Sequence, residues 1–162
     1  MELGLENKYF EKTFSKLSNL EGKTVAITGT TSGTGFSAAE ACAKLGANVI
    51  LLNRPSERAD SALARLKATN SKGRFLKIDC NLQCFKAVRS AGSKIIEACP
   101  DGLDVLCNNA GVMALKDIPT ADGFDVQMQT NHLAHFLLTK LVFPQLREAA
   151  HRRGEARVVN HS

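Results

Sequence analysis

The feature that most constrains this chain is Lys23-Thr24-Val25-Ala26-Ile27-Thr28 running directly into Gly29-Thr30-Thr31-Ser32-Gly33-Thr34-Gly35. The first stretch has the length and β-branched content of a buried strand. The second is a glycine-rich turn, and the Ala-rich stretch Phe36 to Leu45 that follows reads as a helix stopping at Gly46. Such a unit opens a parallel sheet, because a parallel neighbour is reached only through a crossover and the helix supplies it.

The alternation continues along the chain. Asn48 to Leu52 reads as a second buried strand, and a helix is expected over about 56–69, opened by Pro55-Ser56. Phe75 to Ile78 is a third strand, about 82–98 a helix, Leu103 to Cys107 a fourth strand, about 124–149 a long helix and Arg157 to Asn160 a fifth strand. The expected fold is α/β, a doubly wound, Rossmann-like parallel sheet with helices on both faces. Residues 1–21, with Phe10, Phe14 and Leu17 at helical spacing, read as an N-terminal helical extension, and residues 22–162 as the nucleotide-binding domain. At 162 residues, 44% of them apolar, one such core is affordable. No apolar run approaches the roughly 18 residues of a membrane span, and no secretory leader is read.

The net charge of +5 is spread out, and the one basic cluster, His151 to Arg157, has no aromatic interleaving. No nucleic-acid partner is expected, and the mixed charges of the leading helix do not suit a membrane surface. Five cysteines without a C-x-x-C pair point to neither a metal site nor a disulfide framework. A reducing, cytoplasmic setting follows.

The glycine turn sits where a phosphate site requires it, after the first strand and at the start of a helix whose free N–H groups attract anions. Gly22-Lys23-Thr24 is no Walker A loop, since Leu17 stands where that loop needs glycine and the run precedes the strand. About 20 residues past the glycines an acidic side chain would bind the ribose of NAD. This chain has Asn53-Arg54 there, and a guanidinium suits a 2′-phosphate, so NADP is expected over NAD. The same lack of an acid weighs against an S-adenosylmethionine-dependent methyltransferase.

Four motifs then come in order: Thr28-Gly29-x-x-x-Gly33-x-Gly35, Asp79 after the third strand, Asn108-Asn109-Ala110-Gly111 after the fourth, and Asn131 inside the long helix. Together they resemble the short-chain dehydrogenase/reductase family, and Gln129-Thr130-Asn131-His132-Leu133-Ala134-His135-Phe136 resembles its retinol-dehydrogenase-like branch. The resemblance implies cofactor contacts from Gly29, Thr31, Ser32, Gly33, Thr34, Gly35, Asn53 and Arg54. It also implies an adenine contact at Asp79 with the backbone of Cys80 beside it, and a close backbone pass at Asn108, Ala110 and Gly111. Asn131 would be the catalytic asparagine that holds a relay water; its amide, midway along an apolar helix, would otherwise be costly to bury. No metal is expected at His132 and His135, which lack a third ligand.

Two departures stand out. The family's catalytic serine is expected one residue beyond Ser162, and its Tyr-x-x-x-Lys motif after that, whereas the one tyrosine here is Tyr9. The chain therefore reads as the N-terminal, cofactor-binding part of an NADP-preferring oxidoreductase acting on a carbonyl or alcohol. For the intact protein the resemblance implies that the apolar segment Phe136 to Phe143 pairs two subunits. The alternative is a non-catalytic dinucleotide-binding regulatory module.

Overall fold

The computed structural model describes residues 14, 16–69 and 71–161. The leading helix expected around Phe10, and Ser162, lie outside these. Five strands, β1 (Thr24–Thr28), β2 (Asn48–Asn53), β3 (Phe75–Asp79), β4 (Val105–Asn108) and β5 (Arg157–Asn160), form one parallel sheet in the order β3-β2-β1-β4-β5. Helices α1 (Gly33–Lys44), α2 (Glu57–Ala68), α3 (Phe85–Ala98) and α4 (Ala134–Arg153) cover it. The expected doubly wound α/β fold is what the chain adopts.

Successive strand side chains point to opposite faces, and the core divides accordingly. Val25, Ile27, Val49 and Leu51 pack with Ala39 and Ala43 of α1 and Leu66 of α2. Ala26, Ile50, Leu52 and Leu106 pack with Val88, Ala91 and Ile95 of α3 and Leu138 and Val142 of α4. Helices α3 and α4 approach closely because Gly92 has no side chain: a Cβ there would stand 3.1 Å from Leu141 Cβ. Strand order reverses beside β1, whose neighbours are β2 and β4, so the segments leaving β1 and β4 turn to opposite faces and leave a crevice at their carboxyl ends.

Element ends differ from expectation for identifiable reasons. Helix α1 starts at Gly33 rather than Phe36, so it begins inside the glycine run. Helix α3 starts at Phe85, after a turn in which Asn81 Oδ1 accepts from Gln83 N–H and its carbonyl from Cys84 N–H. The single helix expected over about 124–149 comprises a short turn, Val126–Met128, a π-helical turn, Gln129–Leu133, and α4, which runs through Pro144 and ends at Gly154 with φ 85°.

At the opposite edge Asp104 joins three elements. Its carboxylate, 2% exposed, accepts from Thr24 N–H at 2.8 Å and from Arg153 Nε at 2.6 Å, tying the start of β1 to the end of α4. Arg153 also donates to the Asp101 and Gly102 carbonyls. Asp104→Ala strands both a guanidinium and a backbone N–H. We predict a loss of about 3 kcal/mol in urea unfolding, and a loss under about 0.5 kcal/mol, the range of an ordinary surface substitution, would mean that the pair contributes nothing to the fold.

Candidate functional site

The crevice at the carboxyl ends is shaped first by contact between two loops. A Cβ on Gly29 would come within 2.9 Å of Ala110 Cα and Cβ, and one on Gly35 within 2.3 Å of the Gly29 carbonyl oxygen and 2.4 Å of Asn109 Nδ2. These two glycines are thus required by the protein's own packing. Gly33 shares the positive φ of Gly29, +58° against +74°, but a Cβ there would meet nothing within 4 Å. Asn109 fastens the loops further, its Nδ2 donating to the Thr28 carbonyl at 2.9 Å.

The groove runs from this contact across the sheet. Gly29 and Thr31 line one side, Asn53, Arg54, Ser56 and Arg58 follow β2, Cys80 to Gln83 follow β3, and Ala110, Gly111, Val112 and Thr130 close the other end. Arg58 donates to the Ser32 hydroxyl at 3.3 Å, joining α2 to the start of α1. Ser32 itself makes no side-chain cap to α1. Among the described residues no carboxylate lines the groove, and none pairs with Arg54 or Arg58.

Several of the expected contact residues also have partners within the protein. Asn53 is buried, and its amide accepts from Thr30 N–H and donates to Thr30 Oγ1, both at 2.8 Å, so the side chain holds the glycine loop. The Cys80 N–H is likewise taken, by the Asn53 carbonyl, and burial pushes the Cys80 thiol up to about 12, leaving it inert. Asp79 is exposed, lies 3.8 Å from Lys77 Nζ and is not among the groove's lining residues, although its chain neighbour Cys80 is. Asn108 faces a second cavity, where its Nδ2 donates to Thr139 Oγ1 and Asn160 Oδ1. Thr34 is exposed on the first turn of α1.

The second cavity adjoins the π-helical turn and contains Asn131, His132, His135 and His161. Asn131 is exposed, not buried midway along an apolar helix as expected. Its Oδ1 accepts from Val112 N–H and its Nδ2 donates to the Val112 carbonyl, each at 2.8 Å, so the amide clamps the loop after β4. Arg58, Asn81, Gln83 and Thr130 were not anticipated; Arg58, four residues past Arg54 and on the first turn of a helix starting behind Ser56, was the most legible of them.

The family model for short chain dehydrogenases matches residues 23–162. The chain belongs to the short-chain dehydrogenase family. Human retinol dehydrogenase 13 is 35% identical over 145 residues, which cover 90% of this chain and 42% of that protein. RhlG of Pseudomonas aeruginosa, solved as an NADP active-site complex, superposes with a TM-score of 0.71 at 29% identity, covering 86% of this chain and 54% of that one. An NADH-dependent reductase responsible for alginate metabolism, A1-R′, gives 0.71 at 29% identity, covering 88% and 58%. The chain thus spans less than half the length of the curated relatives it matches.

In this short-chain dehydrogenase chain the glycine loop depends on Asn53. Asn53→Ala leaves the buried Thr30 N–H without an acceptor, and we predict a loss of about 1–3 kcal/mol in unfolding free energy. An unchanged urea midpoint would contradict the arrangement.

Proposed function

We propose that this chain supplies the dinucleotide side of an oxidoreductase that moves a hydride between NADP(H) and a carbonyl or alcohol substrate. The observation carrying the choice of NADP is the pair of arginines, Arg54 and Arg58, on a groove that no carboxylate lines among the described residues. A groove for NAD would favour an acid toward the ribose hydroxyls, whereas a 2′-phosphate favours guanidinium donors. The solved relatives use different nicotinamides, so the choice rests on this chain's own residues.

The residues suit the rest of the dinucleotide. The first-turn amides of α1 lack a side-chain cap and stand beside Gly33, where the backbone is bare, an arrangement fit for a pyrophosphate. Ala110 and Gly111 keep the opposite wall low, since a Cβ on Gly111 would find only Asn131 Oδ1, at 3.7 Å. Bound there, the nicotinamide would supply the hydride. The chain's own residues bind and orient: Asn53 holds the glycine loop, Arg54 and Arg58 take the 2′-phosphate, and Asn131 fixes Val112 at the groove's end. Nothing favours the alternative of a non-catalytic module.

The cytoplasmic setting belongs to the same reading, supported by five cysteines that are all free; among the described residues no helix is long and apolar enough to cross a membrane. Pairing of two subunits is supported by Phe136 and Phe143, 66% and 51% exposed two turns apart on α4, while Leu138 and Val142 fill the core. Sedimentation is expected to give a dimer at micromolar concentration that Phe136→Asp with Phe143→Asp dissociates; a monomeric parent would contradict this.

The cofactor test uses dinucleotide fluorescence, which no tryptophan in this chain complicates. Arg54→Ala is expected to weaken NADPH about tenfold or more, the loss of one charge-assisted bond, and to leave NADH within about twofold. Equal affinity of the parent for both would overturn the NADP reading.

A further inference from the structure

Thr28 ends β1, and its hydroxyl oxygen has four polar neighbours. The N–H groups of Asn109 and Ala110 both donate to it at 2.9 Å, which occupies both of its lone pairs. One hydroxyl hydrogen remains, with His135 Nε2 at 2.9 Å and the Cys107 carbonyl at 3.5 Å to receive it. Distance favours the imidazole. A hydrogen on Nε2 would moreover be a third donor aimed at an oxygen with no lone pair left. The other ring nitrogen, Nδ1, lies 3.1 Å from the Asn131 carbonyl, which can only accept. Both sides of the ring therefore select one form, with hydrogen on Nδ1 and a bare Nε2.

We infer that His135 is a positioning residue that works as a neutral imidazole: it receives the Thr28 hydroxyl, and so holds the oxygen on which the Asn109-Ala110 loop hangs, while tying β1 to the π-helical turn at Asn131. His135 is 5% exposed. Burial lowers its pKa, the bond to the Asn131 carbonyl opposes this, and His132 lowers it further. The other ionisable groups around the ring are His132 and His161, which line the same cavity, and Cys107 on β4, whose thiol burial keeps neutral. Among the described residues no carboxylate lines that cavity to offset a charge on the ring.

Acid should therefore act on the loop. A proton on Nε2 displaces the Thr28 hydroxyl hydrogen, and Ala110 and Gly111, one wall of the groove, lose their support. Because the folded pKa lies below that of the unfolded chain, about 6.5, the unfolded state takes up the proton first as pH falls. This contribution to stability is complete above about pH 6.5 and declines below it. The link to dinucleotide binding rests on the proposed function; the protonation state does not.

The test begins without ligand, on protein labelled with ¹⁵N-histidine. Of the four histidines, one is expected to show a protonated Nδ1 and bare Nε2, to vanish in His135→Gln, and to be still largely neutral at about pH 6.5, the midpoint of an ordinary imidazole. A His135 with hydrogen on Nε2, or one half charged at or above about pH 6.5, overturns the inference. NADPH binding then separates two variants at about pH 8 and at the lower pH where the nitrogen spectra show the His135 ring itself charged. Gln carries a carbonyl that can accept the Thr28 hydroxyl and Phe does not. His135→Phe is expected to lose about tenfold in affinity at both pH values. His135→Gln should stay within about twofold of the parent at the higher pH and fall less at the lower. Equal losses in both variants would overturn the inference. A parent that binds no NADPH would overturn the proposed function, while the nitrogen spectra would still decide the state of the ring.

Discussion

The contact between the loops leaving β1 and β4 governs most of what surrounds it. Those strands are neighbours, and their loops must separate to opposite faces of the sheet while sharing one narrow origin. Gly29 and Gly35 have no room for a side chain because Ala110, Asn109 and the Gly29 carbonyl occupy it. Once the loops are that close, their backbone donors must be satisfied within the contact. Thr28 and Asn109 do this, one with a hydroxyl that accepts two N–H groups and the other with an amide that reaches back to the Thr28 carbonyl. The crevice is the space left where the loops part.

Charge is distributed along the strands to match. At the amino ends Asp104 is buried and answered by Arg153, a pairing that joins β1, β4 and α4. At the carboxyl ends the groove has arginines and amides and no acid among the described residues. A short-chain dehydrogenase built this way has its buried ion pair at one end of the strands and two arginines that no carboxylate pairs, among the described residues, at the other, and an anionic ligand suits the second. Four of the five cysteines are held as neutral thiols, since burial raises Cys42 and Cys107, pushes Cys99 up to about 11 and Cys80 up to about 12.

The strands and their alternation with helices were legible because the runs at Val25 to Thr28 and Val49 to Leu52 are short, apolar and bounded by glycine or polar turns. Element starts were less so. Asn81 diverts the chain before α3 through its own side-chain bond, which periodicity does not register. The site was legible as motifs but not as contacts. Asn53 was anticipated at the groove, yet an amide at a strand end faces inward or outward according to whether a buried N–H nearby needs it, and Thr30, distant in sequence, decided this. Asn131 seemed costly on an apolar helix because the π-helical turn that exposes it has no sequence signature of its own. His135 drew attention only as a metal ligand to be rejected, since its partners Thr28 and Asn131 meet only in three dimensions.

The central claim is that the bare first turn of α1 and the wall at Ala110 and Gly111 form one dinucleotide groove. The most direct measurement is an amide ¹H–¹⁵N titration of the chain with NADP⁺. The account predicts saturable shifts at Thr31 to Gly35, Asn81 to Gln83 and Ala110 to Val112, with the side-chain signals of Arg54 and Arg58 moving in step. Shifts confined to the amino ends of the strands around Thr24, Asn48 and Arg74, or no saturable shift at all, would contradict it.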